Sequence, residues 1–143
     1  MKKAITIILA AAIVSISAMA YAAGQPQPLP EEISIFLAKH FPGKEILKVE
    51  KDIEHSGFEY EIKLAGGAEI DFDTALEWKD VKAGRGSAVP SGIVPKAISS
   101  YVEKNHPGKK IVEISRKRVS FEVELSDGTE VELSKNGKLL KYD

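Results

Sequence analysis

An internal duplication constrains the fold of this chain more than any other feature. A helical pattern and two alternating segments each occur twice, in the same order. The aligned ranges are 29–44 with 94–109, 58–62 with 121–125, and 67–72 with 128–133. The offset between the copies falls from 65 to 63 and then to 61 residues, so we expect each slip of two residues to lie in a turn. The chain is therefore predicted to contain one structural unit twice.

Each copy has the pattern of one helix followed by four short strands. Pro30 and Pro95 stand at the first helical position, where a missing backbone N–H costs nothing. Apolar residues at helical spacing follow, and Pro-Gly at 42–43 and 107–108 predicts the helix ends. Segments that alternate between apolar and polar residues come next. We predict an α+β fold of two tandem α-β-β-β-β repeats, which form an antiparallel sheet with both helices packed on one face.

The beginning of the chain has the pattern of a secretory signal peptide. Lys2 and Lys3 precede an apolar run, and an A-x-A cleavage site ends at Ala22, with a second choice ending at Ala20. An uncleaved membrane anchor is the alternative, because the run is just long enough to span a bilayer. The site and the polar, proline-containing stretch after it favour cleavage. We therefore predict a periplasmic or secreted protein that is not bound to a membrane after cleavage.

The predicted organisation has five segments. They are a signal peptide (1–22), a disordered leader (23–28), a first repeat (29–81), a glycine-rich linker (82–88) and a second repeat (89–143). No cysteine is present, which excludes disulfides, thiolate metal sites, a cysteine nucleophile and a lipoprotein anchor. Without disulfides, a small exported protein depends on core burial, so two units that share one core are favoured.

The charge balance does not favour a polyanionic partner. Loss of Lys2 and Lys3 from the 20 basic residues leaves 18 against 21 acidic ones, a net charge of −3. This balance gives no reason to expect nucleic acid or an anionic membrane as a partner. No cofactor is predicted.

The repeated pattern resembles a known family. The helix that ends in Pro-Gly, the Phe-Glu-x-Glu strand, the Gly-x-Glu strand and the Trp-Lys or Asn-Gly-Lys segment after it are similar to the tandem PepSY-like, β-lactamase-inhibitor-like domain of periplasmic proteins. The resemblance covers residues 29–143. It implies a helix-backed antiparallel sheet, continuous across both copies, whose open face could grip another protein. Inhibitor activity is implied only by analogy of fold.

Hairpin geometry predicts which residues face one another. A three-residue loop that ends in a left-handed glycine places Gly67 and Gly128 between the second and third strands of their copies. Apolar residues then share one face, and acids fall opposite acids on the other, where like charges destabilise the pairing. The predicted like-charge pairs are Glu122 with Glu132, Glu124 with Glu130, Glu61 with Asp71 and Glu59 with Asp73. Only Lys63 opposite Glu69 is complementary, although Lys48 and Lys79 on flanking strands could relieve the repulsion.

Two interpretations of this acidic face stay open. A charged alternating face is most often only solvated. Alternatively, the face binds a cationic partner, either a basic protein surface or peptide or a weakly held divalent cation. Trp78 is the best single anchor for a partner if it is exposed. The predicted binding residues are Glu59, Glu61, Glu69, Asp71, Asp73, Trp78, Glu122, Glu124, Glu130 and Glu132.

Other residues give no sign of catalysis. The histidines lack zinc spacing and no G-x-S-x-G elbow is present, so no catalytic or metal-binding residues are predicted. We expect His40 to cap its helix, His106 to fill a packed aromatic slot, and the basic run 116–118 to be a solvated turn. The predicted function is a periplasmic binding or inhibitor-like module of unknown partner, not an enzyme. A divalent-cation-binding or envelope-stress protein is the alternative.

Overall fold

The computed structural model describes residues 28–142. The predicted signal peptide (1–22) and most of the predicted leader lie outside the described residues. Within residues 28–142, no helix is long and apolar enough to cross a membrane.

Each unit contains one helix and four strands in the predicted order. The first unit comprises α1 (Glu31–His40), β1 (Ile46–Glu54), β2 (Gly57–Leu64), β3 (Glu69–Phe72) and β4 (Trp78–Lys82). The second comprises α2 (Lys96–Asn105), β5 (Ile111–Arg116), β6 (Ser120–Leu125), β7 (Glu130–Ser134) and β8 (Leu139–Tyr142). The strands form one antiparallel sheet in chain order from β1 to β8. The predicted α+β fold with a continuous sheet is confirmed.

Both helices pack on one face of the sheet. Ile33 of α1 and Ile98 of α2 are completely buried, and the Phe36 ring meets the Phe72 ring edge-on at 5.2 Å between centroids. Alternate residues of the central strands join the same apolar cluster, as the two-residue period of a strand requires. One core thus extends under both units, and in the described part of the chain no helix covers the opposite face, hereafter the open face.

The hairpin glycines adopt the predicted conformation. Gly67 and Gly128 have φ of 101° and 90°, and the Gly128 N–H donates to the Leu125 carbonyl oxygen at 2.9 Å. Ile62 faces Ile70, as the three-residue loop predicts. The equivalent register in β6 and β7 is also as predicted.

The predicted alignment of the second strands is wrong by two residues. Tyr60, rather than Phe58, is equivalent to Phe121, because Tyr60 faces Phe72 as Phe121 faces Leu133. The offset is therefore already 61 residues in β2, and the whole change of register falls in the β1–β2 hairpin. A slide of two residues leaves an alternating pattern unchanged, so alternation alone could not reveal it.

The segment between the units is held by hydrogen bonds to both of them. Lys82, predicted as the first linker residue, is the last residue of β4, and the Ala83 N–H donates to the Val112 carbonyl oxygen at 2.8 Å. The Arg85 N–H donates to the Gly66 carbonyl oxygen at 3.0 Å. Residues 84–88, hereafter the strap, are therefore positioned against the β2–β3 hairpin of the first unit and the start of β5 in the second.

A close contact between α2 and the β7–β8 turn yields a stability prediction. Gly137 in this turn has a φ of 85°, and a Cβ there would lie 2.6 Å from the Ala97 carbonyl oxygen. Gly137→Ala must therefore displace the helix as well as strain the backbone. We expect it to lower the free energy of unfolding by about 2–3 kcal/mol, measured by urea denaturation.

Gly128→Ala is the matched control for this substitution. Gly128 has a similar φ of 90°, but a Cβ there would meet nothing within 4 Å. Only backbone strain remains, and we expect a loss of about 1 kcal/mol. Equal losses for the two variants would contradict the helix contact.

Candidate functional site

Carboxylates form a row across the open face. Cross-strand partners connect Glu50, Glu61, Asp71 and Asp80 on the four strands of the first unit. The row continues through Ser115 to Glu122 and Glu132 in the second unit. Neighbouring strands lie about 4.8 Å apart, so this first row sets like charges side by side over most of the sheet.

A second row runs parallel to the first, nearer the strap. Its members in strand order are Lys63, Glu69, Lys82, Glu113, Glu124 and Glu130. The cross-strand positions predicted for Glu61 with Asp71, Glu122 with Glu132 and Glu124 with Glu130 are therefore confirmed. Lys63 begins the second row and Lys82 interrupts it, but Glu113, Glu124 and Glu130 follow one another without a cation between them.

Sequence reasoning missed three acids of these rows. They are Glu50, Asp80 and Glu113, and each lies next to an apolar residue of its strand that faces the helices. Period-two alternation alone could have placed them on the open face. The pairing of β4 with β5 could not be predicted from hairpin geometry, because the strap and α2 separate these strands in the chain.

Burial and like charge raise the pKa values of several acids in the rows. Burial, followed by the neighbouring Asp80 and Glu124, raises the pKa of Glu113 to about 7. Burial and then Asp80 raise the pKa of Asp71, and burial, with Glu50 and Asp71 nearby, raises that of Glu61. The pKa values stay raised because burial and the neighbouring acids outweigh the lysines nearby, which are Lys63, Lys79 and Lys82.

Some acids of the face already have partners. Lys79 Nζ lies 2.8 Å from a Glu59 oxygen, as expected for a relieving lysine, and Lys117 Nζ lies 3.1 Å from Glu122 Oε2. The buried Ser120 hydroxyl donates to Glu132 Oε1 at 2.6 Å. In contrast, within residues 28–142 no ion pair is formed by Glu69, Glu113, Glu124 or Glu130.

The predicted pairing of Glu59 with Asp73 is wrong. The β2–β3 ladder ends at Phe72, because the chain turns at Asp73. Asp73 Oδ1 accepts the N–H groups of Ala75 and Glu77 at 2.9 and 3.0 Å. Its other oxygen accepts from Arg116 Nη2 at 3.1 Å. Asp73 is thus a turn residue that bonds to the second unit.

Trp78 lies on the helix side of the sheet, so it cannot anchor a ligand on the open face. Its cross-strand partner is Phe72, and its ring stacks on Phe121 at 6.2 Å between centroids. Arg116 Nε donates to the Trp78 carbonyl oxygen at 2.8 Å. The expectation that 116–118 is only a solvated turn is therefore wrong for Arg116, which joins the two units.

Two of the histidines, His40 and His106, pack against aromatic rings. The His40 ring lies 4.6 Å from the Phe36 ring, and burial, then the nearby Lys39, lowers the pKa of His40. His40 therefore packs on the side of its helix, and the expected capping role is wrong because Phe41 is the C-cap residue. His106 lies 6.0 Å from the Tyr101 ring and within 3.3 Å of the Tyr142 hydroxyl, which confirms the aromatic slot. Among the described residues, no group of three or more histidine, cysteine or acidic side chains could hold a metal ion.

A groove of about 750 Å³ opens between the strap and the edge of the open face. We call it the inter-repeat groove, because both units line it. Its charged lining residues are Glu69, Lys82, Arg85, Lys110 and Glu124. Two of its acids therefore belong to the second row, and its volume is within the range of ligand sites.

Comparisons with known proteins agree with this architecture. The sequence profile of the family described as beta-lactamase-inhibitor-like, PepSY-like matches residues 20–66 and 58–141. None of the curated proteins matches the chain in sequence.

Three solved structures from Bacteroides resemble the chain, each over 80% of its length. A candidate calcium-regulated periplasmic protein from Bacteroides thetaiotaomicron is 28% identical, with 90% of its own chain covered and a TM-score of 0.74. Two candidate periplasmic proteins come from Bacteroides vulgatus. One, from the DUF2874 family, is 30% identical, with 90% covered and a TM-score of 0.74. The other, of unknown function, is 32% identical, with 91% covered and a TM-score of 0.73.

The raised pKa of Glu113 predicts how stability depends on pH. Because this pKa rises from its usual 4.5 to about 7 on folding, the folded state binds more protons than the unfolded state between these values. The free energy of unfolding therefore falls as pH increases through this window. Glu113→Gln should remove the contribution of Glu113 to this fall. At pH 8 the free energy of unfolding of the variant should therefore exceed that of wild type by roughly 1 kcal/mol, allowing for solvent screening.

Urea denaturation from pH 4 to pH 8 measures this difference. At pH 4 wild type and Glu113→Gln should be nearly equal, since both side chains are then uncharged. Glu103→Gln, at an exposed position of α2, is the control and should leave the pH dependence unchanged. Parallel stability curves for wild type and Glu113→Gln would show that Glu113 is not under electrostatic strain.

Proposed function

The chain belongs to the PepSY-like, β-lactamase-inhibitor-like family, and on that premise we propose that it is a periplasmic binding module for a basic protein surface or peptide. The ligand lies on the open face of the sheet. One observation carries the proposal: two carboxylate rows include Glu61, Asp71 and Glu113, whose pKa values are raised by burial and by neighbouring acids. A face whose carboxyl groups have raised pKa values is stabilised when a cation binds, because the cation offsets the repulsion between them.

The geometry favours a ligand with several positive charges. One exposed ion pair contributes only about 0–1 kcal/mol, so a single lysine would bind weakly. A cationic segment that runs across the strands meets a new carboxylate about every 4.8 Å. Several weak pairs then act together, and complementary potentials also speed association.

Similar proteins support the proposed periplasmic location and the assignment as a binding protein. The three similar structures are described as periplasmic proteins, and the N-terminal sequence has the pattern of a signal peptide. Membership of an inhibitor-like family favours binding over catalysis. The proposal therefore assigns the open face a partner and assigns the chain no reaction of its own.

A divalent-cation-binding or envelope-stress protein is the second candidate. The relative from Bacteroides thetaiotaomicron is described as calcium-regulated, and hard carboxylate oxygens are the ligands that calcium prefers. The rows nevertheless spread their acids over separate strands, and the described residues contain no group of three or more that could hold a metal ion. A polycationic ligand fits this spread better than a single ion.

Neutralising the strained acids should separate binding from folding. We expect Glu61→Gln, Asp71→Asn and Glu113→Gln combined to raise the free energy of unfolding at pH 8 by about 1–2 kcal/mol, because like-charge repulsion is removed. Affinity for a fluorescent oligolysine probe should fall at least tenfold, because the same acids bind it. Urea denaturation and fluorescence anisotropy at low salt measure the two effects.

The matched control changes charge equally on the other side of the molecule. Glu31, Glu32 and Glu103 are exposed on the helices, and their combined change to glutamine should leave probe binding within twofold of wild type. If both triple variants weaken binding equally, only net charge matters and the open face is merely solvated. A calcium-induced rise in melting temperature that the open-face variant loses, together with no probe binding by wild type, would favour the second candidate.

A further inference from the structure

The inter-repeat groove contains cations that have no acidic partner. Lys110 Nζ donates to the Gly86 carbonyl oxygen at 3.2 Å, and within residues 28–142 neither Lys110 nor Arg85 forms an ion pair. The Arg85 backbone is fixed to the Gly66 carbonyl oxygen. The strap side of the groove therefore carries a guanidinium and an ammonium group, with hydrogen-bond donors to spare.

The opposite wall of the groove has the opposite charge. Glu69 and Glu124 line it from the second row, and neither makes an ion pair in the described part of the chain. Lys82 stands between Glu69 and Glu113 on the adjacent strands. An occupant that satisfies both walls must carry a negative and a positive group a short distance apart.

The end of a basic peptide meets this requirement. A lysine near a free terminal carboxylate supplies the positive group a short distance from the negative one, because an extended chain advances about 3.3–3.6 Å per residue. Upstream residues would leave the groove over the second row, where acids without ion pairs continue to Glu130. The volume of about 750 Å³ is larger than one small ion needs and suits a chain end.

We propose that the inter-repeat groove binds the C-terminal end of a basic peptide or protein. Its terminal carboxylate lies against Arg85 and Lys110, and its last basic side chain lies against Glu124. This inference rests on the proposed function, which it narrows from any basic segment to one with a free C-terminus. Specificity then comes from the strap, and the open face supplies the remaining attraction.

A pair of peptides that differ in one group tests the carboxylate contact. The probe is a hexapeptide of alternating lysine and glycine, with fluorescein at its N-terminus and either a free carboxylate or an amide at its C-terminus. Wild type should bind the amide about tenfold more weakly in fluorescence anisotropy at low salt, which corresponds to about 1.4 kcal/mol. In the double variant Arg85→Gln, Lys110→Gln the two peptides should bind equally.

Two control variants isolate the two walls. Lys104→Gln removes a lysine from the exposed side of α2 and should keep the tenfold preference. Glu124→Gln should weaken both peptides by the same factor, because it removes the contact to the basic side chain. Circular dichroism melts establish that each variant is folded at the temperature of the assay.

The outcomes separate the groove from the open face. If wild type binds both peptides equally, the groove does not recognise a C-terminal carboxylate, although the proposed function stands. If neither peptide binds, both proposals fail. A preference that persists in Arg85→Gln, Lys110→Gln overturns the assignment of the two cations. Complete displacement of the acid peptide by equimolar free lysine would identify the occupant as an amino acid and overturn the peptide proposal.

Discussion

A single sheet with helices on only one side dictates the rest of this structure. Alternate residues of every strand must fill the core, so the residues between them are committed to the open face. The hairpin register then decides which of these outward residues become neighbours. Because both units place acids at these positions, continuity of the sheet joins them into rows. Repulsion on one face is thus the direct consequence of a register that buries apolar residues on the other.

The two units are connected by more than the sheet. Arg116 of the second unit bonds to Asp73 and to the Trp78 carbonyl oxygen of the first, and the strap bonds to the Gly66 hairpin. These contacts fix the relation between the first unit's acids and the second unit's acids. A ligand that crosses from one unit to the other therefore meets an arrangement that is already formed.

Local sequence patterns predicted the fold well because both copies carry the same helix and turn residues. The Pro-Gly helix ends and the loop glycines Gly67 and Gly128 were enough to place the helices and two hairpins, and the acidic pairs followed from them. The shift of Phe58 against Tyr60 escaped detection because alternation is unchanged by a slide of two residues. Trp78 and Arg116 could not be assigned either, since their contacts join segments far apart in sequence. The same non-local pairing of β4 with β5 hid the strained Glu113 beside Asp80.

The central claim is that burial and neighbouring acids on the open face disfavour ionisation, above all at Glu113, until a cationic ligand binds. Isothermal titration calorimetry of oligolysine binding at pH 6, in buffers with different heats of ionisation, measures the protons exchanged on binding. The account predicts net proton release, because the ligand's charge lowers the pKa of Glu113 from its raised value of about 7. Binding without proton release would contradict it, because the acids that bind the ligand would then not be the strained acids of the open face.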